Sequence, residues 1–296
     1  MDPNFHGLIA FPVTTTDSQG NFDPGAFRAL VDRLIAAGVH GLGILASSGG
    51  GAYYTEQERM DIASAAVKIV DRRVPLMIGT AAVATSQCIR LSQHAERIGA
   101  DSLMIAPVSY WPLTAEEVFR HYESVARSVN IPICVYNNPR TTQFDIQPDL
   151  VGRLSTVLHI DNFKEIAPDL GRIDQIRKNS AGRITISWGR DSMACEALIT
   201  GADAWQSAFA GVIPEPCVRV YNLIKKDRNY ELARKHFAEI AEFCSFFSEK
   251  GVIRSEHTAL QMMGINAGKP RPPLRLLEGN DAEMLRKYLT SLDLIG

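Results

Sequence analysis

Lys164 closes the apolar run His159-Ile160-Asp161-Asn162-Phe163-Lys164, and a lysine at the end of a buried strand holds an ammonium that is poorly solvated. Desolvation disfavours the charged form, so the nucleophilic amine becomes accessible near neutral pH. A second run, Ile131-Pro132-Ile133-Cys134-Val135-Tyr136, ends 28 residues earlier in a phenol able to pass protons. A third, Gly43-Ile44-Leu45, opens into Ala46-Ser47-Ser48-Gly49-Gly50-Gly51, a turn that offers hydroxyls and unobstructed N–H groups to an anion. Amine, phenol and turn together read as a Schiff-base site for a 2-keto acid. Lys164 attacks the C2 ketone, and the imine draws electrons from C3, so that a C3 proton leaves or a C3–C4 bond forms or breaks.

Each residue also has a plainer reading. Lys164 can pair with Glu165 at a rim, Tyr136 can be a packed amphipathic residue, and the Ser-Gly turn can be an ordinary loop or a phosphate cradle. No Lys-Ser or Lys-Thr follows that turn, which argues against a nucleotide P-loop. Arg140, in the turn-forming Asn137-Asn138-Pro139-Arg140-Thr141-Thr142, reads either as a clamp for a second acidic group or as a solvated surface residue. Cys88, Cys134, Cys195, Cys217 and Cys244 are scattered, with no Cys-x-x-Cys pair, and are expected to be reduced, buried small hydrophobes. No His/Asp/Glu set stands at ligand spacing, so neither a metal nor a cofactor is expected.

An internal echo shows which elements must position these groups. Ala37-Gly38-Val39-His40-Gly41-Leu42, Ile98-Gly99-Ala100-Asp101-Ser102-Leu103 and Thr200-Gly201-Ala202-Asp203-Ala204-Trp205 each end a helix, turn through a glycine and enter an apolar strand. The glycines lie 61 and 102 residues apart, close to whole multiples of a strand-plus-helix unit of about 25 to 30 residues. Strands are predicted at 8–12, 41–45, 75–79, 102–106, 131–136, 159–164, 184–188 and 203–207. Helices lie between them, such as 24–37 and 85–98, the latter behind a Thr85 cap. Strand and helix alternating eight times predicts an α/β fold, a parallel (β/α)8 TIM barrel over 1–226, with its active site at the C-terminal strand ends. From 227 to 296 only helices are expected, near 230–248, 254–264 and 280–292, with the stiff connector Lys269-Pro270-Arg271-Pro272-Pro273 before the last.

The chain has 296 residues, 46% hydrophobic and 22% charged, enough for one large domain with a modest appendage. A net charge of −2 and a pI near 6.4 leave no footprint for nucleic acid or an anionic membrane. No run reaches the roughly 18 apolar residues of a membrane span, and Met1-Asp2-Pro3-Asn4-Phe5-His6 lacks the basic and apolar regions of a secretory signal. A cytoplasmic protein with a small-molecule partner is expected.

At these residues the chain resembles the dihydrodipicolinate synthase/N-acetylneuraminate lyase family of Schiff-base-forming (β/α)8 enzymes. The likeness runs from Phe5-His6-Gly7 to Arg271-Pro272-Pro273-Leu274, and is most specific at Tyr136-Asn137-x-Pro139 and Phe163-Lys164-Glu165. It implies that Lys164 is the imine-forming lysine, that Tyr136 relays protons, with Ser48 assisting, and that Ser47 and Ser48 bind the substrate carboxylate. It also implies that Gly189 and Gln206 line the pyruvate pocket and that the protein is a homotetramer, a dimer of dimers. Three departures stand out. The family's Gly-Thr-Thr-Gly-Glu is Ala46-Ser47-Ser48-Gly49-Gly50, without its glutamate. The arginine that grips the second substrate in the synthase is Thr141, with Arg140 one place early. The tyrosine that the synthase borrows from a neighbouring subunit aligns with Ser109, next to Tyr110. The expectation is therefore an aldolase or dehydratase of a 2-keto-3-deoxy acid. Dihydrodipicolinate synthase proper and a non-catalytic 2-keto-acid-binding barrel are the alternatives.

Overall fold

The computed structural model describes residues 5–296, so the first four residues of the stretch read for a leader lie outside the described residues. Eight strands, β1 (Gly7–Ala10), β2 (Gly41–Ile44), β3 (Leu76–Gly79), β4 (Ser102–Ile105), β5 (Ile133–Tyr136), β6 (Ile160–Glu165), β7 (Thr185–Trp188) and β8 (Ala204–Ser207), pair in parallel and in chain order. β1 pairs with β8 to close the barrel. The outer ring is α1 (Pro24–Ala36), α2 (Glu56–Val70), α3 (Thr85–Ile98), α4 (Ala115–Ala126), α5 (Pro139–Thr142), α6 (Pro148–Leu154), α7 (Gly171–Asn179), α8 (Ala194–Thr200) and α9 (Pro214–Lys225). Three more helices follow, α10 (Tyr230–Lys250), α11 (Val252–Met262) and α12 (Gly279–Ser291).

The eight-strand (β/α)8 reading holds, and its local reasons are visible. Gly38, Gly99 and Gly201 of the echo all take positive φ where a helix turns into the next strand. β5 begins two residues later than predicted because Pro132 has no N–H to give the ladder, although its carbonyl still accepts from Leu103 N at 2.9 Å. The expected Thr85 cap is replaced by Ala84, and the Thr85 hydroxyl bonds His121 Nδ1 at 2.9 Å instead.

Alternation along the strands splits the core into two layers. Ile9, Phe11, Met77, Met104, Cys134 and Tyr136 cluster inside the barrel. Leu8, Leu42, Ile78, Leu103, Phe163 and Trp188 join the helical ring in a second cluster that continues into the tail through Phe243, Phe247 and Leu285. The tail is anchored at the C-terminal end of the barrel. Phe209, just past β8, meets Phe243 and Phe247 edge-on at centroid distances of 4.9 and 5.1 Å. The connector is strapped to the loop after β1: Lys269 N donates to Thr16 Oγ1 at 3.0 Å, and Arg271 Nε to Gly20 O at 2.9 Å. No helix among the described residues is long and apolar enough to cross a membrane.

Candidate active site

On β6 the alternation decides which groups meet. Asn162 and Lys164 face the barrel interior, while Glu165 faces out. Glu165 accepts from Arg172 Nε at 2.7 Å, from Asn137 Nδ2 at 2.9 Å and from the N–H groups of Ile166 and Ala167 at 2.8 Å. The Lys164–Glu165 rim pair is therefore overturned: neighbours on a strand point to opposite faces. Lys164 is only 5% exposed, and its Nζ sits 4.3 Å from the Phe11 ring centroid and 4.6 Å from that of Tyr136. Burial brings its pKa down from 10.5 to about 8, against the opposing pull of the acidic groups Asp191, Cys134 and Glu256.

Tyr136 is the register partner of Lys164 across β5 and β6. Its phenol accepts from Asn138 Nδ2 at 3.0 Å. Burial holds its pKa above the ordinary value, while the hydroxyl of Ser47 lying against it favours the phenolate. Ser47 is exposed and Ser48 buried. The Ser48 hydroxyl donates to Phe11 O at 3.0 Å, so the hydroxyl beside the phenol is that of Ser47. Inside the turn Gly50 N bonds Ser47 O and Gly51 N bonds Ala46 O. Gly50 stands at φ 66 and ψ 22, left-handed backbone in which the family's glutamate would be strained.

Gly189 follows β7 with no room for a side chain: a Cβ there would lie 2.3 Å from Lys164 Cε. Gln206, expected at the pocket wall, is fully buried one layer below. It donates to Ser187 Oγ at 3.0 Å, while Cys134 Sγ and Ser187 Oγ both donate to Asn162 Oδ1, which makes a polar floor beneath the amine. Arg140 is exposed and its guanidinium donates to Ser248 O at 2.7 Å. That places its head group on α10 rather than among the groups around Lys164. The Ser109 hydroxyl bonds within its own turn to Trp111, whereas Tyr110 is 85% exposed. All five cysteines are free and buried, and burial pushes Cys134 up to about 12, which leaves it inert as a nucleophile.

Two acids escaped the sequence reading. Asp191, two residues past Gly189, is buried and accepts from Trp205 Nε1 at 2.8 Å and Phe209 N at 3.3 Å. Its position just beyond a predicted strand end was the available signal. Glu256 lies in the tail helix α11, fully buried, and nothing in its local sequence marks it.

A closed barrel with a buried amine, a phenol and a Ser-Gly turn gathered at the C-terminal strand ends has the layout of a (β/α)8 enzyme site. The pattern of the Dihydrodipicolinate synthetase family matches residues 4–292. The chain is 28% identical over 292 residues to 4-hydroxy-tetrahydrodipicolinate synthase of Syntrophobacter fumaroxidans, covering 98% of this chain and 100% of that one. It is 34% identical over 234 residues to YagE of Escherichia coli K12, named as a candidate 2-dehydro-3-deoxy-D-gluconate aldolase, covering 78% and 76%. The structure of YagE in complex with pyruvate superposes with a TM-score of 0.92 at 28% identity, covering 98% and 99%. The chain belongs to the dihydrodipicolinate synthetase family.

Proposed function

We propose that the protein is a class I lyase in which Lys164 forms an imine with pyruvate or a related 2-keto acid, acting as an aldolase or dehydratase of a 2-keto-3-deoxy acid. The observation that carries this reading is the Lys164 amine, 5% exposed and lowered to about 8, set between the rings of Phe11 and Tyr136. Ser47, Ser48 and the N–H groups of their turn hold the substrate carboxylate. The phenol of Tyr136, with Ser47 beside it, moves protons as the carbinolamine loses water and as C3 is protonated or deprotonated. Gly189 leaves Lys164 its space, and the layer that includes Gln206 supports it from below.

The synthase reading has the support of full-length likeness to 4-hydroxy-tetrahydrodipicolinate synthases. Against it, Thr141 stands in place of the gripping arginine and Arg140 is held by Ser248 O. Tyr110 and Trp111, 85% and 76% exposed, are suited to burial between copies of the chain, which we take to be a homotetramer. Buried, unpaired thiols fit a reducing compartment such as the cytoplasm.

Borohydride reduction in the presence of pyruvate, followed by intact-mass measurement, tests the imine. An adduct that maps to Lys164 and disappears in Lys164→Ala is expected; an unmodified wild-type chain refutes the reading. Product analysis with a panel of 2-keto-3-deoxy acids then separates C3–C4 cleavage from loss of water.

A further inference from the structure

Glu256 is 0% exposed, and neither of its carboxyl oxygens has a hydrogen-bond partner among the described residues. Such a group is expensive to keep in a fold, because a buried carboxyl normally recovers its lost hydration through hydrogen bonds or an ion pair. Its surroundings are those of the amine. α11 packs against the turn Phe209–Gly211, whose Phe209 N–H donates to Asp191 at 3.3 Å. The same helix sends Ile253 and His257 into a crevice shared with Ser48, Gly49 and Gly50. The charged groups that act on Glu256 are Asp191 and Lys164. On its own helix His257 is lowered to about 4 by burial and is neutral, and on α10 the Cys244 thiol is held protonated.

We propose that Glu256 is a positioning residue for imine formation: its carboxyl stays protonated while Lys164 is a free amine, and ionises as the iminium forms, becoming the counter-charge of that cation. The step balances. Amine plus ketone becomes iminium plus water with the uptake of one proton; the N–C bond forms, the C–O bond breaks, and the proton that Glu256 gives up on ionising offsets the one the step consumes, so the site as a whole takes up none. Burial and the charge of Asp191 both raise Glu256 well above the usual carboxylate range, and the cationic nitrogen at Lys164 draws it down. Asp191 is already bonded to Trp205 and Phe209, so the carboxyl without partners is the one left to answer a new charge.

The inference rests on the Schiff-base reading, and the test separates the two. Wild type, Glu256→Gln and Glu256→Asp are treated with pyruvate and borohydride from acid to alkaline pH, and infrared difference spectra are recorded on adding pyruvate. In wild type above about pH 8, where Lys164 starts as the free amine, a carboxylic-acid carbonyl band is expected to bleach as the imine forms, and trapping persists on the alkaline side. In Glu256→Gln the band is missing and the alkaline limb falls about one pH unit earlier, a tenfold loss at fixed pH, with the acid limb unmoved. Glu256→Asp keeps an acid and restores the limb. An adduct in wild type with no bleached band, or an unmoved alkaline limb in Glu256→Gln, overturns the role of Glu256 and leaves the imine standing. A wild-type chain that forms no adduct removes both.

Discussion

Replacing Gly189 with alanine tests how closely the amine is held. The added Cβ would lie 2.3 Å from Lys164 Cε, 3.1 Å from its Cγ and 2.9 Å from Ile166 Cγ2, where ordinary contact begins at 3.4 Å. Gly189 is not among the glycines with positive φ, so the backbone accepts a side chain and the whole effect comes from crowding. Lys164 Cε must retreat by about 1 Å to restore contact, and a misplacement of about 1 Å at a reacting group slows the chemical step about 10²-fold. Overpacking itself is expected to destabilise by about 1–3 kcal/mol. The assay is the rate of borohydride trapping with pyruvate together with chemical denaturation, the denaturation repeated in a Lys164→Ala background. With the lysine stem gone two of the three nearest contacts are lost and that with Ile166 stays, so most of the stability loss should disappear there, a coupling on the order of 1 kcal/mol or more. A Gly189→Ala protein that traps pyruvate at the wild-type rate, or loses equal stability in both backgrounds, refutes the reasoning.

Three further outcomes are expected. The folded protein holds Lys164 near 8 while the unfolded chain restores 10.5, so the unfolded state binds more protons between those values. Stability therefore rises with pH across that window, and Lys164→Met, which removes the penalty, should gain about 3 kcal/mol at neutral pH and flatten the slope in melts taken against pH. Arg172→Met strands Glu165, whose side chain is 0% exposed, and should lose about 3–5 kcal/mol by denaturation. Ser47→Ala should slow imine formation on the order of 10²-fold through the lost proton path, whereas Ser48→Ala chiefly raises the pyruvate concentration for half-maximal trapping and Arg140→Ala leaves pyruvate trapping unchanged.

The barrel was legible because both faces of its strands are buried, which leaves short apolar runs, and because Gly38, Gly99 and Gly201 punctuate the repeat. Lys164 and Tyr136 were legible as polar groups at the ends of such runs. What the sequence does not carry is direction at a strand end: whether Ser47 or Ser48 turns toward the phenol depends on the left-handed Gly50, and whether Gln206 reaches the pocket depends on its place in the alternation. Arg140 was misleading because its partner, Ser248 O, lies 108 residues away. Glu256 was hidden because its helix belongs to a segment with no strand end to mark it.

The outward-facing Glu165 has a consequence for how the mouth of this barrel can change. Arg172 of α7 grips it from behind, while Asn137 and the N–H groups of Ile166 and Ala167 hold it from the first residues past β5 and β6, so the peptide next to the nucleophile is moored to the helical ring and to the roots of two loops, not to their outer parts. Loop exchange at the open end can thus retune which aldehyde or leaving group is accepted, while the bearing of the amine is set from the far side of the sheet.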